Sequence, residues 1–313
     1  MSPILHSQSH CSSSGVVQSQ SWKIDERYQT IIKEFPSDIN DTSEMLRYYQ
    51  GKVHRGRPLD VFDEYTMLEG ETNFITVDRQ NILPTTFEEI KEIEDPASTF
   101  EVDFYSERAQ DSGGPRREWL RLCNQKIKEK YFDSGLKSHL ASDYYYAGMI
   151  AAISLLQNGP VPRYFSEEQL DQIFVQNGPC TSKCVLEFRR GLDRLGIYQF
   201  SQHINQFISI FRHHQERLTV KSLIQLFPPQ FSEEGSNKLQ FEKIVYNKFI
   251  KYVREAAAGR RIATLEDILI FVTCADEIPI LGFAKQPFIS FHEVSIPETV
   301  RKEKAQDSQV CIK

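Results

Sequence analysis

Asp111-Ser112-Gly113-Gly114-Pro115-Arg116-Arg117-Glu118-Trp119 follows a strand-like run, Phe100-Glu101-Val102-Asp103-Phe104-Tyr105, and opens a helix whose apolar face is Trp119, Cys123 and Ile127. A glycine pair lets the backbone turn where a Cβ would clash. Pro115 suits the first helical turn because it has no N–H to leave orphaned. Asp111 or Ser112 can cap the exposed amides. The stretch predicts a strand–turn–helix junction, fixed by Arg116, Arg117 and Glu118 pairing with neighbouring elements. None of these residues is catalytic by itself.

Outward toward the N-terminus, Ile24, Tyr28, Ile31, Ile32 and Phe35, stopped at Pro36, and then Met45, Leu46, Tyr48 and Tyr49 have helical spacing. Leu59–Tyr65 and Asn73–Val77 look like strands. Thr86, three residues before Glu89, predicts a helix start. Toward the C-terminus, residues 144–157 are apolar nearly all round, which predicts a central buried helix stopped by Asn158-Gly159-Pro160. Residues 170–174, 185–195, 203–211 and 220–227 repeat the helical pattern. Phe231–Asn237, rich in Ser, Gly and acids behind Pro228-Pro229, is the candidate hinge. An amphipathic helix follows over 241–253, with Ile244, Val245, Phe249, Tyr252 and Val253 as its core side and a stop at Ala256-Ala257-Ala258-Gly259. Thr264-Leu265-Glu266-Asp267 starts the next helix, and Phe288–His292 is a strand candidate.

With 313 residues, 40% hydrophobic and 26% charged, the chain has the composition of a soluble globular protein. Its net charge of −6 argues against nucleic-acid binding, and no apolar run reaches membrane-spanning length. Cysteines at 11, 123, 180, 184, 274 and 311 lack paired spacing and follow no secretory leader, so reduced thiols in the cytoplasm or nucleus are expected. Cys180 and Cys184 have no companion pair for a zinc site, and no metal or cofactor is expected. Residues 1–21, rich in Ser and Gln, are expected to be disordered. His213-His214 reads as a solvated helical face.

The order strand, Gly-Gly-Pro-Arg-Arg-Glu-Trp, helix resembles the N-lobe signature of HECT-type ubiquitin ligases. Ile270-Phe271-Val272-Thr273-Cys274-Ala275-Asp276-Glu277-Ile278-Pro279-Ile280-Leu281-Gly282-Phe283 is similar to the C-lobe signature of the same family, with Cys274 at its glycine. Tyr145–Pro160 is similar to the segment between them, and Phe231–Asn237 and Asp276–Pro279 are like a divergent animal branch. The resemblance covers roughly residues 75 to 295. It implies an α+β, bilobal fold with a large, mostly helical N-lobe and a small α+β C-lobe. On that basis residues 1–21 are a tail, 22–58 a short helical linker, 59–232 the N-lobe, 233–297 an incomplete C-lobe and 298–313 a divergent tail. The helical block at 160–230 occupies the position where family members bind the conjugating enzyme, and it is shorter than is typical.

The resemblance also implies covalent catalysis. A C-lobe cysteine takes ubiquitin from a charged conjugating enzyme as a thioester, and a substrate lysine then attacks it; thiolate chemistry suits both steps. The implied partners are therefore ubiquitin, a ubiquitin-conjugating enzyme and a protein substrate. Cys311 is the candidate nucleophile. Its setting, Ala305-Gln306-Asp307-Ser308-Gln309-Val310-Cys311, lacks the family's Leu-Pro and has Val310 in place of threonine. Only Ile312 and Lys313 follow, which predicts an unpaired tail and little or no thioester. The alternative reading is a catalytically inactive HECT-like binding module or scaffold. Cys274 reads as a packed, inert thiol and Cys123 as a buried one.

Overall fold

A computed structural model describes residues 26–60, 69–107, 113–175, 182–212, 218–292 and 310–312. The fold is mostly helical α+β. Helices α1 (Glu26–Lys33) and α2 (Thr42–Val53) come first. Asp41 caps α2 by accepting the N–H groups of Ser43 and Glu44. Strand β1 (Thr72–Val77), helix α3 (Ile82–Lys91) and strand β2 (Thr99–Phe104) form a βαβ unit, its strands parallel with Thr72 opposite Thr99 and Val77 opposite Phe104. Ile75, Val77, Phe100 and Val102 are buried, so the apolar positions of both strands fix this register.

Helix α3 begins at Ile82 after Asn81, five residues earlier than a cap at Thr86 predicts. Thr86 lies inside the helix and is fully buried, where its Oγ1 accepts the indole N–H of Trp119 at 2.9 Å. Pro84 is tolerated in the first turn because that amide has no intrahelical acceptor.

Helix α4 (Gly114–Ile127) runs into a π-helical turn at Lys128–Phe132. Helix α5 (Asp143–Leu156) follows and buries 11 of its 14 residues, which makes it the structural centre. Asn158 ends that segment in the left-handed region at φ 55. Helix α6 (Glu167–Leu170) also passes into a π turn, Asp171–Val175. Helix α7 (Lys183–Leu192) packs on α5. Gly148 and Gly191 lie at that crossing, where the helix backbones touch. The pattern over 203–211 is split between helix α8 (Ile197–His203) and a 3-10 stretch, Asn205–Phe211, because Ile204 leaves helical geometry.

Helices α9 (Val220–Leu226), α10 (Asn237–Ala257) and α11 (Leu265–Thr273) come next, followed by strands β3 (Ile289–Phe291) and β4 (Val310–Ile312). Thr264 and Asp267 cap the start of α11 reciprocally, as their spacing predicts. Helix α10 is longer than predicted at both ends. Its inner face is also different: Val245 and Val253 are buried, whereas Ile244 and Tyr252 are exposed. The second core is too thin to cover both sides of a long helix.

Among the described residues most buried apolar side chains fall into two clusters. One extends from Tyr28 to Phe211, the other from Leu223 to Ile289. The second includes Leu223 and Phe227, which precede the candidate hinge at 231–237. The tail at 1–21, the capping residues Asp111 and Ser112, most of the strand candidate at 59–65, Cys180 and His213-His214 all lie outside the described residues.

Candidate functional site

The Gly-Gly-Pro-Arg-Arg-Glu-Trp segment forms a joint between the two clusters. Gly113 adopts φ 111, and a Cβ there would run into the Asp60 carboxylate and meet the Leu59 carbonyl oxygen at 3.0 Å. Only glycine fits. Arg116 is fully buried, donates to the Leu59 carbonyl and lies 3.7 Å from Asp60. Arg117 pairs with Asp60, and its Nε donates to the Thr273 carbonyl at 3.0 Å. Glu118 accepts from Arg79 at 2.6 Å and from Arg121 at 3.5 Å. Arg117 reaches across to α11, while Arg116 and Glu118 fix α4 to Leu59, Asp60 and Arg79 on its own side. The nearby His54 imidazole is pushed down to about 4, by burial first and by the Arg116 charge second.

Across the joint, the segment after α11 sits on the first cluster. Glu277 Oε1 accepts the Val161 N–H at 2.9 Å, and Oε2 accepts from Arg163 at 3.1 Å. Ile280 and Leu281 pack against the same cluster. Burial raises the Asp276 and Glu277 carboxyls above their ordinary values, against the pull of Arg121 and Arg163 respectively. Cys274 closes α11 in the left-handed region at φ 58. That conformation explains why the signature it resembles has glycine here. Burial raises the Cys274 thiol, and the Glu118 charge raises it further. A raised thiol is a poor nucleophile near neutral pH. Cys123 is fully buried and pushed up to about 12 by desolvation, so it too is inert.

Cys311 lies in β4, which pairs antiparallel with β3 in the register Ile289–Ile312, Ser290–Cys311 and Phe291–Val310. The expectation of an unpaired tail is corrected for residues 310–312; residues 298–309 lie outside the described residues. Val and Ile flank Cys311, and such β-branched residues favour pairing with the β-forming sequence of β3. The other edge of β3 carries a parallel bridge between Pro229 and Ile289, with Gln230 N–H donating to the Ile289 carbonyl at 2.8 Å. Ser290, the register partner of Cys311, has its Oγ 3.0 Å from His292 Nε2. Cys311 thus belongs to the strand pair opposite Ser290, and Cys274 to the joint.

Sequence reasoning missed Asp60, Arg79, Arg163 and the separate role of Glu277. Asp60 looks like one residue of a strand, and Glu277 stands out only as part of Asp-Glu-Ile-Pro. Their partners are more than a hundred residues away for Glu277 and 57 for Asp60, so no local spacing reveals them. Among the described residues no group of three or more His, Cys, Asp or Glu side chains is placed to hold a metal ion, and no helix is long and apolar enough to cross a membrane.

No family model matches the chain. Over 111 residues it is 34% identical to the G2/M phase-specific E3 ubiquitin-protein ligase of Gallus gallus, covering 35% of this chain and 14% of that protein. The chain is similar to E3 ubiquitin ligases. The Homo sapiens protein of the same name is 23% identical over 284 residues, covering 64% of this chain and 39% of its own length. A Macaca fascicularis relative matches to the same extent. The chain therefore spans between 14% and 39% of these curated relatives.

Proposed function

We propose that this chain is a ubiquitin-transfer module of HECT type, with 59–232 as its N-lobe, 233–297 as its C-lobe and Cys311 as the ubiquitin acceptor. The carrying observation is the similarity to proteins named E3 ubiquitin-protein ligases, taken together with the two signatures flanking the joint. In this reading the Cys311 thiolate attacks the thioester carbonyl of ubiquitin on a conjugating enzyme, whose own thiolate leaves. A substrate lysine amine then displaces Cys311. Unpaired cysteine spacing supports a cytoplasmic or nuclear setting.

A second reading, a HECT-like module that binds without transferring, is favoured by Val310 in place of threonine and by the missing Leu-Pro. One experiment separates the two. The chain is incubated with activating enzyme, a panel of conjugating enzymes, ATP and ubiquitin, and resolved with and without dithiothreitol. Transfer predicts a reducible conjugate that Cys311→Ala abolishes and Cys274→Ala leaves intact. A conjugate absent across the panel, with ubiquitin or conjugating enzyme still bound, supports the second reading.

A further inference from the structure

Helix α10 carries 5 cations, Lys238, Lys243, Lys248, Lys251 and Arg254, and 2 carboxylates along 21 residues. The chain as a whole has a net charge of −6, so this helix is a local reversal of sign. Both carboxylates are engaged. Glu242 accepts the Ser232 N–H at 2.7 Å and the Ser232 hydroxyl, and Glu255 accepts from Arg261 at 2.7 Å. Lys251 also lies 3.9 Å from Glu255, but that lysine is 77% exposed and stays open to a further carboxylate. The outward field of the helix is therefore basic.

Its solvent face has an apolar end. Phe241 is 70% exposed and Ile244 54% exposed, and neither joins a hydrophobic cluster among the described residues. Phe241, Ile244, Lys248 and Lys251 follow one another at spacings of three and four, which puts them on one line along the helix. That line is about 15 Å long at 1.5 Å per residue. Val245, Val253 and Ala256 occupy the inner face, so the stripe is a side left open among the described residues.

We propose that this stripe docks an acidic segment of a partner protein, which sets an apolar side chain against Phe241 and Ile244 and carboxylates against Lys248 and Lys251. Charge complementarity selects the acidic partner, and the apolar pair supplies the anchor that a purely electrostatic contact lacks. A membrane surface fits less well. Interfacial helices bury a broad apolar face, and the broad apolar face of α10 is already turned inward. A nucleic-acid strand needs a continuous basic groove that follows its backbone, whereas this stripe sets two lysines beside an apolar pair on one helix face.

The stripe also has a definite address. The Ser232–Glu242 bonds tie the start of α10 to the preceding segment, and Phe231 stacks on Phe291 of β3 at 5.5 Å and 6°. A segment docked on Phe241 therefore lies at the end of the helix nearest the strand pair that carries Cys311. The inference goes beyond the transfer reading and does not depend on the reactivity of Cys311.

The test uses the full chain and a fluorescein-labelled peptide rich in Asp and Glu, with one Phe and one Leu three positions apart, followed by anisotropy. Control peptides replace the acids by Lys or the two apolar residues by Ser. Binding should weaken with salt. It should fall by about tenfold or more in Lys248→Glu/Lys251→Glu and in Phe241→Ser/Ile244→Ser, and stay within about twofold in the distant control Lys126→Glu. Lys248→Gln/Lys251→Gln keeps the test decisive if charge reversal disturbs the fold. Absence of peptide binding, equal binding by the stripe variants, or a preference for phosphatidylserine vesicles or an oligonucleotide over the peptide would each overturn the proposal.

Discussion

Helices α5 and α10 are both long, yet they face their surroundings in opposite ways. The first buries 11 of 14 residues, the second 4 of 21. Around α5 the chain closes on all sides, and two glycines let α7 approach to backbone contact. Around α10 the core is one layer deep, and large apolar side chains remain in solvent, Phe271 of α11 among them. The first region is built to hold a shape. The second is built to present one, and the joint at Arg117 and Glu277 makes the shape of the first available to the second.

The largest test of this contrast is Gly191→Ala. A Cβ there would strike the Tyr145 carbonyl oxygen and meet Met149 N at 2.8 Å, backbone atoms that cannot give way. We expect a loss of about 3 kcal/mol in urea denaturation, against under about 0.5 kcal/mol for Ile244→Ala. Equal losses would erase the distinction between the regions. Arg117→Ala comes next. It removes an ion pair with the nearly buried Asp60 and the bond to Thr273, so a loss of about 2 kcal/mol is expected. Amide exchange should quicken in 273–281 before it does in α5; uniform change would mean that the joint is not a separable contact.

Titration should divide the joint from the capping carboxylates of α10 and α11 by sign. A carboxyl whose folded value is raised holds its proton more tightly when folded. Its favourable contribution is complete below the ordinary value, 3.8 for Asp276, and is lost as pH rises through the folded value. Asp276→Asn should therefore raise the melting temperature at pH 7, with the gain shrinking as pH falls toward about 4. In the second region Glu242 and Asp267 are held low, chiefly by bonds from Ser232 and Thr264, so their contributions are present above 4.5 and 3.8 and lost as pH falls. A melting gain for Asp276→Asn that grew on acidification would refute the assignment. A smaller, stabilising effect is expected for Cys274→Gly. Relieving a left-handed cysteine at φ 58 should stabilise by about 0.5–1 kcal/mol in thermal melts; a loss would show that the thiol packs more favourably than the strain costs.

Much of this is legible in the sequence where the physics is local. The apolar run of α5, the Thr264–Asp267 cap and the face of Trp119, Cys123 and Ile127 all appear as expected. The errors share a cause. Thr86 has the spacing of a cap, but its hydroxyl serves Trp119, a partner 33 residues away. Ile244 has the spacing of a core residue, but among the described residues no element lies opposite to cover it. Cys311 reads as unpaired because its strand partner comes from beyond the Glu298–Asp307 charged run. Periodicity reports which face a residue occupies, and only the fold reports what that face meets.

The bridge between Pro229 and Ile289 has a consequence for the order of folding. It closes a loop of about sixty residues, and loop closure costs entropy that grows with the logarithm of length. Helices α10 and α11 draw on contacts close in sequence and can form early. Strand β3 must wait until both are docked and the chain has returned to residue 229, and β4 can pair only after β3 is in place. On this ordering the strand that carries Cys311 pairs after α10 and α11 have formed, because its partner strand depends on that closure.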